Sequence, residues 1–201
     1  MAVVIRVDTE LDAPKYRKNE VLRYLGYTDG TCDGETEVLI DSCYGELLRV
    51  ITPRACFTEG KIERTGGGYL SVCGVELESR ALEKNLSGCD RAAVFGATLG
   101  IGADRLIAKY SSISPAKSVV ADAVASSLIE VYCDSLCELI AYGREQNPRF
   151  SAGYGDLSIE NQTRLADLLS MQKNIGVCLT DALLMTPTKS VTAIVGIRKE
   201  K

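Results

Sequence analysis

The sequence predicts an α+β domain, a mainly antiparallel sheet flanked by helices, in one domain spanning 1–201. Three observations predict it. Between Ala55 and Glu78 the chain breaks into short β-prone runs separated by Glu59-Gly60 and Gly66-Gly67-Gly68, a spacing that suits hairpins. Helical patterns gather before and after these runs instead of alternating regularly with single strands. At 201 residues and 46% hydrophobic composition, the chain can bury one sizeable core.

Taken in order, residues 1–15 read as an extended arm, and Lys18 to Leu25 as a short helix stopped by Gly26. A second helix is expected from Glu35 to Val50, with Leu39, Cys43, Leu47 and Val50 as its apolar stripe and Pro53 closing it. The β-prone runs follow: Ala55-Cys-Phe-Thr58, Lys61-Ile-Glu-Arg64, Tyr69-Leu-Ser-Val72 and Val75-Glu-Leu77. Ser79 then caps a helix through Leu86 that stops at Gly88, and a buried strand is expected from Arg91 to Thr98. Gly100-Ile-Gly102 turns the chain into a helix over 103–111. Pro115 starts a long helix reaching Tyr142, and Pro148 closes that stretch. An amphipathic helix over 159–172, a strand at Val177 to Leu179 and a last strand of alternating side chains from Ser190 to Ile197 complete the chain.

Composition narrows the chemistry. The chain has no histidine, which removes Ser-His-Asp and Cys-His nucleophile systems, His-containing zinc sites, and imidazole ligands to haem iron or corrinoid cobalt. A formal net charge of -4 argues against a nucleic-acid or anionic-membrane partner. No apolar run approaches the roughly 20 residues that span a bilayer, and a cytoplasmic protein is expected. The 8 cysteines contain no C-x-x-C and read as reduced thiols used as small apolar residues.

Four groups of residues could carry chemistry. Leu99-Gly-Ile-Gly102 sits where a dinucleotide loop would, but Arg105 takes the third glycine position, so a tight turn is the better reading. Cys133 and Cys137, one helical turn apart, form a poor metal site without histidine and read as core. Glu130, Asp134 and Glu138 form an acidic stripe of the kind usually left solvated. Glu130 differs because Leu128, Ile129, Val131 and Tyr132 flank it, so if buried it needs a partner, such as a ligand ammonium or sulfonium. Arg149-Phe-Ser-Ala-Gly-Tyr-Gly-Asp156 places a planar cation and an aromatic hydroxyl on one glycine-hinged loop, suited to holding a carboxylate beside a reactive centre. The bland alternative is a surface arginine. Thr186-Pro187, before the last strand, could add backbone N–H and C=O groups for an adenine edge.

Arg149-x-x-x-Gly153-Tyr154, with Met185-x-Pro187 and Ser190-Val191 downstream, resembles the C-terminal activation domain of cobalamin-dependent methionine synthase. The similarity also takes in Leu22-Arg-Tyr-Leu-Gly-Tyr27, Leu86-Ser-Gly-Cys-Asp90, Phe95-Gly-Ala-Thr-Leu-Gly100 and Leu128-Ile-Glu-Val-Tyr132. The resemblance implies a bent antiparallel sheet with helices that binds S-adenosylmethionine, here as a free-standing protein. It implies a repair role: when cobalt(I) of the enzyme's corrinoid is oxidised to cobalt(II), the domain docks over the corrinoid and presents the methyl donor. Flavodoxin or another reductant supplies the electron.

Residue by residue, the resemblance implies that Arg149 binds the ligand carboxylate and that Tyr154 lies near the transferred methyl as the catalytic candidate. Phe150 and Gly153 belong to the same ligand-binding loop. Glu130 matches a family carboxylate near the ligand, Glu145 is a looser second candidate, and Val195 and Gly196 align with an aromatic pair at the adenosine end. Ala152 replaces the usual proline, and a ligand-contacting aspartate of the family falls on Gly26, so the ammonium end is expected to be held differently. With no histidine for a lower cobalt ligand, the cobalamin is expected on a partner, a corrinoid-bearing methionine synthase core. Two other readings stand beside this one: a non-catalytic interaction or sensor protein serving another corrinoid methyltransferase, and a dinucleotide enzyme using Gly100 to Gly102.

Overall fold

The computed structural model describes residues 3–7 and 16–198. Of the expected arm, β1 (Ile5–Val7) is an antiparallel strand, while residues 1–2 and 8–15 lie outside the described residues. The sheet is antiparallel throughout. Its order is β4 (Val75–Glu78), β3 (Tyr69–Val72), β2 (Arg54–Gly66), β5 (Cys89–Thr98) and β8 (Ser190–Arg198), with β1 laid against the first part of β2.

The expected break at Glu59-Gly60 is absent, because β2 runs through it as one strand of 13 residues. Gly60 serves close approach instead: a Cβ there would sit 3.0 Å from the Cys73 Cα. Glu59 is held by Arg91 at 2.6 Å and by both terminal nitrogens of Arg144, which favours a straight course over a turn. The chain reverses at Gly67-Gly68 and again at Cys73-Gly74, where both residues take positive φ (54° and 84°), as a primed two-residue hairpin requires. Along its length β2 passes from β5, last paired at Lys61, to β3, first paired at Ile62.

Strand alternation sorts side chains between two cores, one on each face of the sheet. Ala93, Phe95 and Ala97 of β5, with Ala193, Val195 and Ile197 of β8, join the core that includes α5 (Pro115–Ala141). Ala92, Val94 and Ile194 face the other core with Leu165 and Leu169 of α6 (Asn161–Leu169). The alternation expected in the last strand is present, yet both of its faces are covered. Each fully buried large apolar side chain here contributes about 1.5–3 kcal/mol relative to exposure.

Helices flank this sheet. α1 (Lys18–Tyr24) ends before Gly26 at φ +87°. In α2 (Gly34–Leu48) the Asp33 side chain accepts the Thr36 N–H at 2.8 Å, and Ile40, Cys43 and Leu47 are buried. In α3 (Arg80–Asn85) Ser79 accepts the Leu82 N–H at 2.9 Å. The turn into α4 (Ile101–Ile113) is packed tight: a Cβ on Gly102 would meet the Val50 carbonyl oxygen at 1.9 Å, and one on Gly100 the Thr52 hydroxyl at 2.3 Å. Glycine is required there for packing, in keeping with the tight-turn reading of this segment.

The helix expected over 159–172 is two. Ser170 adopts a left-handed conformation (φ 46°), ending α6 and starting α7 (Met171–Ile175), which stops at Gly176. The expected strand near 177–179 is β6 (Cys178–Leu179), and it pairs with β7 (Met185–Thr186), which sequence reading did not anticipate. The described cysteines are free thiols, five of them buried and Cys178 exposed. Among the described residues no helix is long and apolar enough to cross a membrane.

Candidate functional site

The site forms where the outer edge of β8 is left partly uncovered. After α5 the chain turns through Tyr142 and Gly143, both left-handed, and runs back antiparallel to β8. The Arg198 N–H donates to the Glu145 carbonyl (2.9 Å), the Asn147 N–H to the Gly196 carbonyl (2.9 Å), and Phe150 and Ile194 exchange two bonds of 2.9 and 2.8 Å. Backbone groups on one strand edge recur every second residue, so the Thr192 N–H and C=O face this same edge. Past Phe150 the chain departs. The Ser151 hydroxyl donates to the Thr192 carbonyl (2.8 Å), and a groove of about 410 Å³ opens beside Ser190, Val191, Thr192 and Ala193.

The loop that leaves β8 is held at both ends. The Gly153 N–H donates to the Leu157 carbonyl at 2.8 Å, with Gly153 at φ +89°. Asp156 accepts the Ser79 hydroxyl and the N–H groups of Arg80 (2.9 Å) and Ala81 (3.1 Å), so one carboxylate caps α3 and anchors the loop. These bonds, the Ser79 hydroxyl first, hold its carboxyl below the usual range. Tyr154 stands at the groove mouth, 61% exposed, its ring edge-on to Phe150 with centroids 6.2 Å apart.

The charged wall belongs to α5 and Arg149. The Arg149 Nη2 donates to the Glu130 Oε2 at 2.9 Å and lies 2.8 Å from the Asp134 Oδ1. Glu130 and Asp134 are one helical turn apart, so one guanidinium spans both. Asp134 also pairs with Arg17, which lies 3.5 Å from Glu20. Partial burial opposes the Arg149 charge, but Cys133 and then the carboxylates of Asp134 and Glu130 together offset it and raise its pKa above its ordinary value. Cys133 and Cys137 are buried in the same helix, and burial pushes the Cys137 thiol up to about 11. Among the described residues no group of histidine, cysteine or acidic side chains could hold a metal.

Of the residues singled out from sequence, Arg149, Glu130 and Tyr154 line the groove together. Phe150 is part of the β8 edge and Gly153 part of the turn; neither lines the groove. Val195 and Gly196 lie further along β8, and Glu145 lies on the returning segment beside its end. Val195 is buried in the core, Gly196 has its carbonyl taken by Asn147 and faces Cys89 and Leu86, and Glu145 reaches Arg198 at 3.4 Å. The returning segment covers the edge there, so the groove opens nearer the start of β8. Sequence reading missed Gln162, which lines the groove and accepts the Thr192 hydroxyl at 2.9 Å, and left Asp134 as a solvated residue. Nothing in the sequence marks Gln162. The four-residue spacing from Glu130 was the available signal for Asp134.

An antiparallel sheet covered by helices on both faces, with an ion-paired groove of small-molecule size at one strand edge, defines an α+β domain with a candidate ligand site. Residues 81–201, more than half of the chain, match the family of the vitamin B12 dependent methionine synthase activation domain, and the chain belongs to that family. Among solved structures it is similar to one described as the crystal structure of the MetH reactivation domain bound to AdoHcy. The TM-score is 0.70 at 15% sequence identity, covering 100% of this chain and 80% of that one, a likeness of fold. Among curated proteins, none matches this chain.

Proposed function

We propose that this domain binds S-adenosylmethionine in the β8-edge groove and supports reductive remethylation of the corrinoid of a separate cobalamin-dependent methionine synthase. The observation that carries the reading is Arg149 held against Glu130 on the wall of a 410 Å³ groove, in a chain of the activation-domain family. A solved domain of similar fold is described as bound to AdoHcy, which supports the ligand class.

The residues present fit such a ligand. Arg149 offers a planar donor fork to a carboxylate, and Glu130 a counter-charge to an ammonium or sulfonium. Three carboxylates (Glu130, Asp134, Glu20) face two guanidiniums (Arg149, Arg17), an excess of negative charge that favours a cationic ligand. The Thr192 N–H faces the groove edge, where a flat heterocycle could accept from it. Bound there, S-adenosylmethionine would supply a methyl group to cobalt on the partner. Tyr154 at the open mouth would border the transfer path, and the groove wall would keep the sulfonium from other methyl acceptors. The 201 residues contain no histidine, so a histidine lower ligand to the cobalt would come from residues other than these, with the electron coming from flavodoxin or another donor.

The test is cobalt(II) remethylation by a methionine synthase core given reductant and S-adenosylmethionine. Adding this protein is expected to raise the rate. An unchanged rate, with the protein folded and in excess, would refute the proposal.

A further inference from the structure

The two carboxylates on Arg149 are not equivalent. Glu130 lines the groove and has Arg149 as its ion-pair partner. Asp134 lies one turn further along α5 and is gripped from its far side by Arg17. The Arg17 backbone is anchored in turn, since it is the N-cap of α1 and its N–H donates to the Ser127 hydroxyl of α5 at 2.9 Å, while its half-exposed guanidinium reaches Glu20 as well as Asp134. A ligand carboxylate arriving at the Arg149 fork would compete first with the groove-facing Glu130. It would leave Asp134 in place behind the guanidinium.

We propose that Asp134, locked by Arg17, is a positioning residue that keeps the Arg149 fork turned into the groove while Glu130 exchanges Arg149 for the cationic end of the ligand. The inference rests on the ligand reading above and deepens it. A long arginine side chain loses considerable rotamer freedom when it is fixed, and a second carboxylate that stays attached removes that loss before the ligand arrives. Glu130, released, would still face an ammonium or sulfonium a few ångströms from the carboxylate it yielded to. The arrangement therefore selects ligands that bring both charges. A carboxylate alone would leave the partly exposed Glu130 to solvent without its ion-pair partner, and an amine alone would leave the Arg149–Glu130 pair to compete against it.

The experiment is calorimetric titration of the whole chain with S-adenosylhomocysteine and with its decarboxylated analogue, which keeps the amine and adenosine. Asp134→Asn is expected to weaken S-adenosylhomocysteine about tenfold, near the lower end of the loss for a hydrogen bond to a charged group, and to leave the analogue unchanged. Arg17→Ala should repeat this pattern and Arg17→Lys should largely restore binding, which keeps the test open if Asp134→Asn does not fold. Unchanged or tighter binding of S-adenosylhomocysteine by Asp134→Asn would overturn the proposal, as would equal weakening of both ligands, the mark of a merely structural role. Wild-type protein that binds neither ligand would defeat the underlying reading and this proposal together. Wild-type binding with unaffected variants would defeat this proposal alone.

Discussion

Replacing Arg149 with alanine removes a five-donor fork from the groove and leaves Glu130 without its ion-pair partner. S-adenosylmethionine affinity should fall by about 1.5–3 kcal/mol, the cost of losing a hydrogen bond to a charged group, and calorimetry showing equal affinity would dismiss Arg149 as the anchor. Because carboxylates outnumber guanidiniums here, S-adenosylmethionine should bind more tightly than the zwitterion S-adenosylhomocysteine, whose thioether lacks the sulfonium charge. That preference should shrink as salt is raised, as titrations at two ionic strengths would show. At this scale the sequence was legible where chemistry and spacing coincide: Arg149 and Tyr154 share one loop, and Glu130 is a carboxylate among apolar neighbours. Nothing in the sequence shows that Val195, Gly196 and Glu145 stand apart from that groove. Their distance from the groove depends on how far residues 145–150 pair along β8, a register set by long-range packing.

Two polar clusters fasten elements together. Glu46 of α2 takes Lys117 of α5 at 2.6 Å and the hydroxyl of Tyr110 of α4, and these bonds, Lys117 first, hold its carboxyl down at about 2. Its folded value lies below the ordinary 4.5, so its stabilisation is present above about pH 4.5 and is lost as pH falls toward 2. Glu46→Gln should therefore melt below wild type at neutral pH, and the gap should close on acidification; a gap independent of pH would contradict this. Asp156→Ala removes a shared cap, so both the melting temperature and S-adenosylmethionine affinity should drop, because α3 and the Arg149 loop lose the same anchor. Local signals placed several elements: Ser79 at a helix start, Gly26 and Gly88 at helix ends. The failures came where tertiary contacts override such signals. Gly60 reads as a turn until Cys73 is seen against it, and Ser170 takes a left-handed conformation with no glycine to announce it.

The main sheet serves two cores, so loosening either face disturbs strands that the other needs. Ile194→Ala on one face and Phe95→Ala on the other should each cost about 2–5 kcal/mol, and unfolding should remain a single transition by both fluorescence and circular dichroism. Separate transitions would mean that the two layers are independent. The α+β class was readable from element order, but not which strand would end at an edge. That edge carries a further consequence. An unpaired strand margin is an invitation to stick to a neighbour's margin, and residues 145–150 blunt β8 only as far as Phe150. The stretch from Ser190 to Ala193, where Ser151 takes the Thr192 carbonyl, is left for a second molecule to zip onto, so the proposed ligand, if seated there, would also act as a stopper against clumping.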